Sequence, residues 1–327
     1  MDVSRMAEEA SRLLPLARRV LTRYPYQVRS VSHLATHSNV MYRVETTSGE
    51  QLVLRVGSAH GNTRDNIDME VAWLTALARD TDLEVVRPLP TRGGVLVVDE
   101  YDPTIEKERA CVLFTWIPGE PLGAGGPFGY RMLGQVSATL HRHGATWRPE
   151  NERLLRRWDR VFYYGSDIDP VVIANPYYDH IFGPEVRRTV SRAGELAEAV
   201  IERSWASGTP QVVHGDLHEW NVHLAGGRIH VFDFEDLMLA LPAQDVAISL
   251  YHSRTRPDRD EIRAAFRRGY ETVAGWPVED DEQLDGFMAA RQVLLMNYAA
   301  RTLPPREAVE FIDTTYPWLD WYVSTYG

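Results

Sequence analysis

Residues 212–236 read VVHGDLHEWNVHLAGGRIHVFDFED and carry the most informative spacing in this chain of 327 residues. Short runs of alternating apolar residues flank Ala225-Gly226-Gly227. Such runs around a glycine-containing turn predict a β-hairpin. In a hairpin centred there, Asn221 lies opposite Phe232, and paired residues are about 5 Å apart. Asp233 is the next residue, so an amide oxygen and a carboxylate emerge at the open end of the hairpin.

These two side chains suit a hard metal ion. Mg²⁺ prefers oxygen ligands and commonly completes its shell with phosphate and water. Asp216 precedes Asn221 by five residues, on the loop that leads to the same end of the hairpin. It can face the same point without being a ligand. The arrangement favours phosphoryl transfer, in which a protein holds phosphates and metal and places a carboxylate near the proton of a hydroxyl group.

Two other interpretations of the same letters remain open. Aspartate and asparagine favour turns and hairpin ends, which explains each residue alone but not their joint spacing. The triplet His214, Asp216 and His218 has the form H-x-D-x-H, which suits a metal-dependent hydrolase. That site would need further ligands, for which His223 and His230 are the nearby candidates, and it would leave Asn221 and Asp233 without a role.

The periodicity of the chain predicts an α+β protein with two lobes. Residues 3–22 have the apolar spacing of an amphipathic helix, and segments of period two follow. After Pro118-Gly119 the spacing becomes helical. We therefore expect a small antiparallel-sheet N-terminal lobe over 1–117 and a larger helical C-terminal lobe over 118–327. The predicted strands are 28–34, 39–46, 51–56, 85–89, 94–101, 110–117 and, in the second lobe, only 211–234. The other predicted helices are 66–78, 130–142, 184–205, 243–254, 259–274, 281–302 and 306–322.

The composition of the chain limits the kinds of partner that we expect it to bind. The net charge is −11, from 46 acidic and 35 basic residues, without the basic surplus that nucleic-acid binding needs. The acidity fits either a cationic substrate or simple solubility. There is one cysteine, Cys111, no apolar run of bilayer length and no signal-peptide pattern. We expect a cytoplasmic protein that binds neither nucleic acid nor membrane.

The spacing D-x₄-N followed by D-F matches the catalytic loop and the metal-binding aspartate of protein kinases. The form H-G-D-x₄-N resembles the aminoglycoside phosphotransferase and choline kinase superfamily. LVLRV, MEVAWLTALARDTDLEVVRP and HGDLHEWNV are most similar to its bacterial homoserine-kinase-like and stress-response-kinase-like branch. The resemblance covers residues 25–255. It implies a protein-kinase-like bilobal fold, with Asp216 as catalytic base and with Asn221 and Asp233 as ligands of Mg²⁺.

The resemblance also assigns nucleotide binding to the N-terminal lobe. Kinases use a strand lysine on the phosphates, paired with a helix glutamate. LVLRV places Arg55 at that position and Glu70 on the following helix, although an ordinary surface ion pair is the alternative. In the first loop, THSNVMYRV, Ser38 and Asn39 are candidate phosphate contacts or plain turn residues. The connector CVLFTWIPGEPL resembles the hinge. Backbone groups of Thr115 and Ile117 would bind adenine, and the sequence does not distinguish ATP from GTP.

The expected acceptor is a hydroxyl group of a small molecule such as an amino alcohol, an amino acid, a sugar or an aminoglycoside. Residues 158–180 lie where relatives build the acceptor wall, and they either contact substrate or pack the helical lobe. The resemblance implies that Asp245 corresponds to a family aspartate that braces the catalytic loop. The alternative is that Asp245 caps the N-terminus of a helix. A serine/threonine protein kinase and a nucleotide-binding module without catalysis are the competing functions. The candidate acceptor-wall residues are Tyr163, Tyr164, Tyr177 and Tyr178, with Asp167, Asp169 and Asp179 to pair amines.

Overall fold

The computed structural model describes residues 3–36, 38–58, 62–122, 126–165 and 168–327. The helices are α1 (Val3–Leu21), α2 (Arg64–Asp80), α3 (Pro127–Gly144), α4 (Pro184–Ser207), α5 (Pro242–Tyr251), α6 (Arg259–Tyr270), α7 (Asp281–Thr302) and α8 (Pro305–Tyr326). The strands are β1 (Val28–Thr36), β2 (Val40–Thr46), β3 (Gln51–Val56), β4 (Glu84–Val85), β5 (Val97–Asp102), β6 (Lys107–Thr115), β7 (Glu120–Pro121), β8 (Arg156–Arg157), β9 (Gln211–Val213), β10 (Val222–Ala225), β11 (Arg228–Val231) and β12 (Met238–Ala240).

The chain divides into two compact units, and neither is continuous in sequence. The first consists of Met1–Pro121, Pro149–Leu154 and Val222–Glu235. The second consists of Leu122–Arg148, Leu155–Asn221 and Asp236–Gly327. The sequence predicted a single boundary, after residue 117. In the structure the first boundary follows Pro121, and the hairpin of β10 and β11, which comes later in the chain, belongs to the first unit.

The first unit contains an antiparallel sheet with the strand order β1-β2-β3-β6-β5. Side chains of β2 alternate strictly, with Val40, Tyr42 and Val44 buried and the residues between them half-buried. This alternation is typical of a sheet with one face on the core. Helix α1 covers that face with residues such as Leu13 and Val20. The Tyr42 hydroxyl donates to the Ala10 carbonyl of α1 at 2.6 Å, which fixes the helix on the sheet.

A second sheet in the same unit contains the predicted hairpin. Its order is β4-β11-β10-β7, and β10 pairs with β11 from Val222↔Val231 to Ala225↔Arg228. Gly226 and Gly227 connect the strands with φ of 57° and 77°. A two-residue hairpin loop of this kind needs positive φ at both central positions, which glycine adopts without strain. The register, extended by one residue, is the one that the sequence predicted.

The second unit is mainly helical. Its small sheet has the order β8-β12-β9, and the helices α3 to α8 surround a core that includes every residue of α5 from Ala243 to Tyr251. Together, the antiparallel sheets near the N-terminus and the helical remainder confirm the predicted α+β class. Within the described ranges, no helix is long and apolar enough to cross a membrane.

Several strand predictions were wrong in extent. The strand predicted at 85–89 is only Glu84–Val85, since Pro88 and Pro90 lack the N–H that a sheet ladder requires. The strand predicted from residue 94 begins at Val97, because Gly93 and Gly94 belong to a turn. Three strands were not predicted, namely β7, β8 and β12. Each has two or three residues, too few to establish a period of two.

Candidate active site

The loop between β9 and β10 is held by a buried aspartate. The Gly215 N–H donates to Oδ1 of Asp245 at 2.9 Å, and Oδ2 of Asp245 lies 2.8 Å from Nε2 of His141. Gly215 has φ of 83°, and a Cβ added there would meet the Asp236 carbonyl oxygen at 2.1 Å. Only glycine fits both constraints. Asp245 therefore contacts the loop directly, as a bracing residue would, while the N-cap of α5 is Leu241.

Asp216 follows this glycine, and both of its carboxylate oxygens have partners within the second unit. Oδ1 accepts from Nη2 of Arg291 on α7, and Oδ2 accepts from Nδ2 of Asn221 at 3.0 Å. Nε2 of His218 lies 3.3 Å from Oδ2. Burial alone would raise the pKa of Asp216, but the positive charge of Arg291 and the hydrogen bond from His218 outweigh it. The pKa of this carboxyl lies well below its usual range, so Asp216 is ionised at neutral pH.

Asn221 precedes the hairpin directly and is buried. Its Nδ2 donates both to the carboxylate and to the backbone carbonyl of Asp216, the latter at 2.9 Å. Because the amide nitrogen is committed to Asp216, the amide oxygen is oriented away from it. That oxygen is the kind of hard donor that binds Mg²⁺.

Asp233 follows the hairpin by two residues and has φ of 66°, a left-handed conformation that is uncommon for a residue with a side chain. Backbone strain of this kind concentrates at functional sites. Burial lowers the pKa of Arg55, and Glu70, then Glu235 and last Asp233 raise it, so the charge of Asp233 acts on Arg55 within the first unit. An amide oxygen, as in Asn221, and a carboxylate, as in Asp233, are each ligand types that Mg²⁺ accepts together with phosphate and water. That the two residues share one ion stays a prediction.

Arg55 and Glu70 form a buried bidentate pair in the first unit. Nη1 and Nη2 of Arg55, on β3, donate to Oε1 and Oε2 of Glu70, on α2, at 2.8 and 2.5 Å. The two side chains are 6% and 3% exposed. Burial lowers the pKa of Arg55, and the charge of Glu70 more than reverses that effect. The alternative of an ordinary surface ion pair was wrong, because both groups are inside the protein.

Ser38 and Asn39 share one partner that the sequence analysis did not single out. The Ser38 hydroxyl and Nδ2 of Asn39 donate to the two carboxylate oxygens of Glu235, and Nδ2 of Asn62 donates to its carbonyl at 3.0 Å. Glu235 lies two residues after Asp233. The first loop of the chain and the segment after the hairpin are therefore joined within the first unit.

The hinge residues are less informative. Thr115 is the last residue of β6, and its N–H donates to the Arg87 carbonyl at 3.0 Å. That donor is used inside the protein, so a hinge contact from Thr115 would need its other backbone groups. Ile117 lies between β6 and β7 and is half-buried. The adenine contacts of both residues stay a prediction.

The histidines near Asp216 are engaged within their loop. Nδ1 of His214 accepts from the Asp216 N–H, and Nδ1 of His218 accepts from the Trp220 N–H, both at 3.2 Å. In the part of the chain that the structure describes, no group of three or more histidine, cysteine or acidic side chains is arranged to hold a metal ion. Nothing in this geometry favours the hydrolase.

Two of the three acids predicted to pair amines of an acceptor already have basic partners. Asp169 pairs with Arg301 at 2.5 Å and accepts from Asn297, and Asp179 pairs with Arg187 at 2.6 Å. Asp167 lies outside the described residues.

The four tyrosines divide into two pairs. The rings of Tyr163 and Tyr164 stack at 4.7 Å between centroids, and burial raises the pKa of Tyr163 to about 12. Tyr177 is 77% exposed and meets Tyr178 edge to face. The first pair thus contributes to the interior of the second unit, while the ring of Tyr177 faces solvent.

The sequence analysis missed Arg291. It lies on α7, 75 residues beyond its partner Asp216, in a helix that contains both polar and apolar residues on its buried faces. A single arginine in such a helix carries no local signal, so only the folded chain shows that it contacts the loop.

Comparison with known proteins shows the family to which this chain belongs. Residues 31–281 match the phosphotransferase enzyme family, APH. The uncharacterized protein sll1119 of Synechocystis sp. is 28% identical over 251 residues, which cover 76% of this chain and 66% of that protein. The chain therefore spans just under two thirds of that relative's length.

Solved structures show the same fold at low identity. A microcompartment-associated aminopropanol kinase superposes with a TM-score of 0.78 at 24% identity, covering 96% of this chain and 98% of its own. The amicoumacin kinase hAmiN, solved with AMP-PNP and Ca²⁺, superposes with a TM-score of 0.75 at 17% identity, covering 96% of this chain and 95% of that one. Spectinomycin phosphotransferase, solved with ADP and spectinomycin, superposes with a TM-score of 0.66 at 15% identity, covering 93% of this chain and 96% of that one. The fold is thus the kinase-like α+β fold of these enzymes, and the chain belongs to the phosphotransferase enzyme family.

Proposed function

We propose that the protein is a Mg²⁺-dependent kinase that transfers the γ-phosphoryl group of ATP, or of GTP, to a hydroxyl group of a small molecule. The observation that carries the proposal is the ionised Asp216, held on a braced loop by Asn221 and Arg291. A fixed carboxylate is what a kinase needs to orient an acceptor hydroxyl.

Asp216 is proposed as the catalytic base. It orients the hydroxyl and accepts its proton while the hydroxyl oxygen forms the new bond to phosphorus. The bond from the γ-phosphorus to the bridging oxygen breaks, and the nucleoside diphosphate leaves with that electron pair. Its contact with Arg291 keeps the carboxylate charged before the hydroxyl arrives. General-base groups of this kind contribute about 10²–10⁴ to the rate.

Asn221 and Asp233 are proposed to hold the metal ion. Their places directly before β10 and two residues after β11 support this, together with the oriented amide of Asn221 and the strained backbone of Asp233. When bound, Mg²⁺ supplies positive charge that neutralises the phosphates in the transition state.

Arg55, positioned by Glu70, is proposed to contribute charge to nucleotide binding, with Ser38 and Asn39 as polar contacts and with backbone groups of Thr115 and Ile117 near the base. The resemblance in LVLRV supports the first assignment. The cytoplasm remains the proposed location, since the one cysteine, Cys111, is buried and free.

Replacing Asp233 with alanine tests the metal assignment. We expect Mg²⁺-dependent binding of AMP-PNP, measured by calorimetric titration, to be lost, because the single carboxylate ligand is removed. Asp80→Ala, on the exposed end of α2, is the control and should bind as the wild type does. Unchanged binding by Asp233→Ala, or activation of the wild type by Zn²⁺ alone, would contradict the proposal.

A further inference from the structure

Arg291 has more hydrogen-bond donors than its known contact uses. The side chain is 13% exposed, and the contact to Asp216 is made by Nη2. Its Nε is buried, and none of the described residues accepts a hydrogen bond from it. A guanidinium carries five N–H donors in a planar fork, and a buried donor without an acceptor is costly. The guanidinium therefore has N–H donors beyond the one that Asp216 uses, and they lie directly beside the catalytic carboxylate.

Beyond its ion pair with Asp216, the groups that act most strongly on Arg291 are neutral or already paired. Besides Asp216, the groups that act on it are Tyr163, Tyr164 and Asp236. Burial raises the pKa of both phenols, so they stay neutral and can donate hydrogen bonds to an anion. Asp236 is itself paired, with Arg156 at 3.1 Å.

A second buried arginine adds to the positive charge. Arg254 is 8% exposed and donates to the Tyr251 carbonyl and hydroxyl and to Gln292, and no described carboxylate pairs with it. The effect is visible at His252, where burial, followed by the charges of His218, Arg291 and Arg254, lowers the pKa to about 4. Arg254 is thus a buried cation without a described carboxylate partner, whereas Asp169 and Asp179 are already paired with arginines.

We propose that the acceptor is a small hydroxy acid, whose carboxylate binds the remaining N–H donors of Arg291 while its hydroxyl lies against Asp216. One guanidinium then holds two carboxylates, that of the catalytic residue and that of the substrate. Because both bind the same planar group, the hydroxyl must lie only a few bonds from the carboxylate. This inference rests on the proposed kinase function and makes Arg291 a specificity-determining residue.

The test compares acceptors that differ only by a carboxylate. The pairs are L-threonine with 1-aminopropan-2-ol, L-serine with ethanolamine, and glycerate with ethylene glycol. We expect kcat/KM, measured by coupled detection of ADP, to favour the carboxylated member of at least one pair by tenfold or more. In Arg291→Met that preference should be lost, so that the two members of the pair react with similar kcat/KM, because truncating one partner of a buried charge pair commonly costs more than a factor of ten. Arg291→Lys should retain part of it.

The design separates this role from the contact with Asp216. A loss common to both members of a pair reports on Asp216, and a change in their ratio reports on the acceptor carboxylate. Arg268→Met, an exposed arginine on α6, is the matched control and should keep the wild-type ratio.

Three results would overturn the inference: preference for the decarboxylated alcohols, an equal loss for both members in Arg291→Met, or no transfer to any carboxylated acceptor while ATP is still hydrolysed. Failure of the kinase proposal itself looks different, since AMP-PNP would then not bind with Mg²⁺ and ATP would not be consumed. That result would remove both proposals.

Discussion

Arg55–Glu70 in the first unit and Arg291–Asp216 in the second are both arginine–carboxylate pairs, but the two pairs are built differently. Arg55 and Glu70 use two donors and both acceptor oxygens in a closed fork, with neither side chain more than 6% exposed. Arg291 and Asp216 share a single contact, and the other oxygen of Asp216 serves Asn221 and His218. The first pair resembles a structural element, and the second resembles a site that keeps capacity for a substrate.

The difference shows what burial of a charge pair can achieve. A closed fork satisfies both ions, and its removal leaves an uncompensated buried charge. An open contact fixes the ionisation of a carboxylate while leaving its lone pairs accessible. Arg55 consequently has fewer donors for phosphate than an unpaired arginine would have, so its proposed effect on nucleotide is mainly one of charge.

The largest effect should come from breaking the open pair at its catalytic member. Asp216→Asn keeps the size of the side chain but removes the proton acceptor and its charge. We expect kcat to fall about 10²–10⁴-fold, with the affinity for Mg·AMP-PNP nearly unchanged, because Asp216 is not proposed as a metal ligand. Rapid-quench turnover and calorimetric titration measure the two quantities. Wild-type turnover, or loss of nucleotide binding, would refute the assignment.

The closed pair should instead respond in stability. Glu70→Ala leaves the guanidinium of Arg55 buried without its carboxylate, so we expect the free energy of unfolding to fall by about 3–5 kcal/mol. Urea denaturation followed by circular dichroism measures it. Glu84→Ala breaks the exposed pair with Arg228 in the same unit, at 2.6 Å, and should cost at most about 1 kcal/mol. Equal losses in the two variants would show that Arg55 and Glu70 are not a closed buried pair.

The smallest effect should come from Glu235, which holds Ser38 and Asn39. Glu235→Ala removes a negative charge and releases both donors for phosphate. We expect the Kd of Mg·AMP-PNP to fall several-fold, equivalent to about 1 kcal/mol, and the further change Ser38→Ala should reverse part of the gain. Weaker binding would mean that Glu235 positions the loop for nucleotide rather than occupying it.

How well each feature could be predicted depends on how far apart in the sequence the residues that form it lie. The hairpin and the spacing of Asp216, Asn221 and Asp233 are local, so turn chemistry and a short motif were sufficient to predict them. Glu235 lies inside that motif, yet its partners are nearly two hundred residues earlier in the chain. Arg291 lies on a helix whose spacing shows only that it packs. Contacts set by tertiary packing, like the two- and three-residue strands, carry no periodicity that one sequence can reveal.

The broken course of the first unit has a consequence for synthesis on the ribosome. Strands β4 and β7 emerge with the first 121 residues, but their hydrogen-bonding partners β11 and β10 follow more than a hundred residues later. At translation rates of about 5–20 residues per second, the nascent chain waits several seconds with these edges unpaired. A chain terminated near residue 121 would lack half of the second sheet altogether, so the first unit becomes complete only when about half of the second has been synthesised.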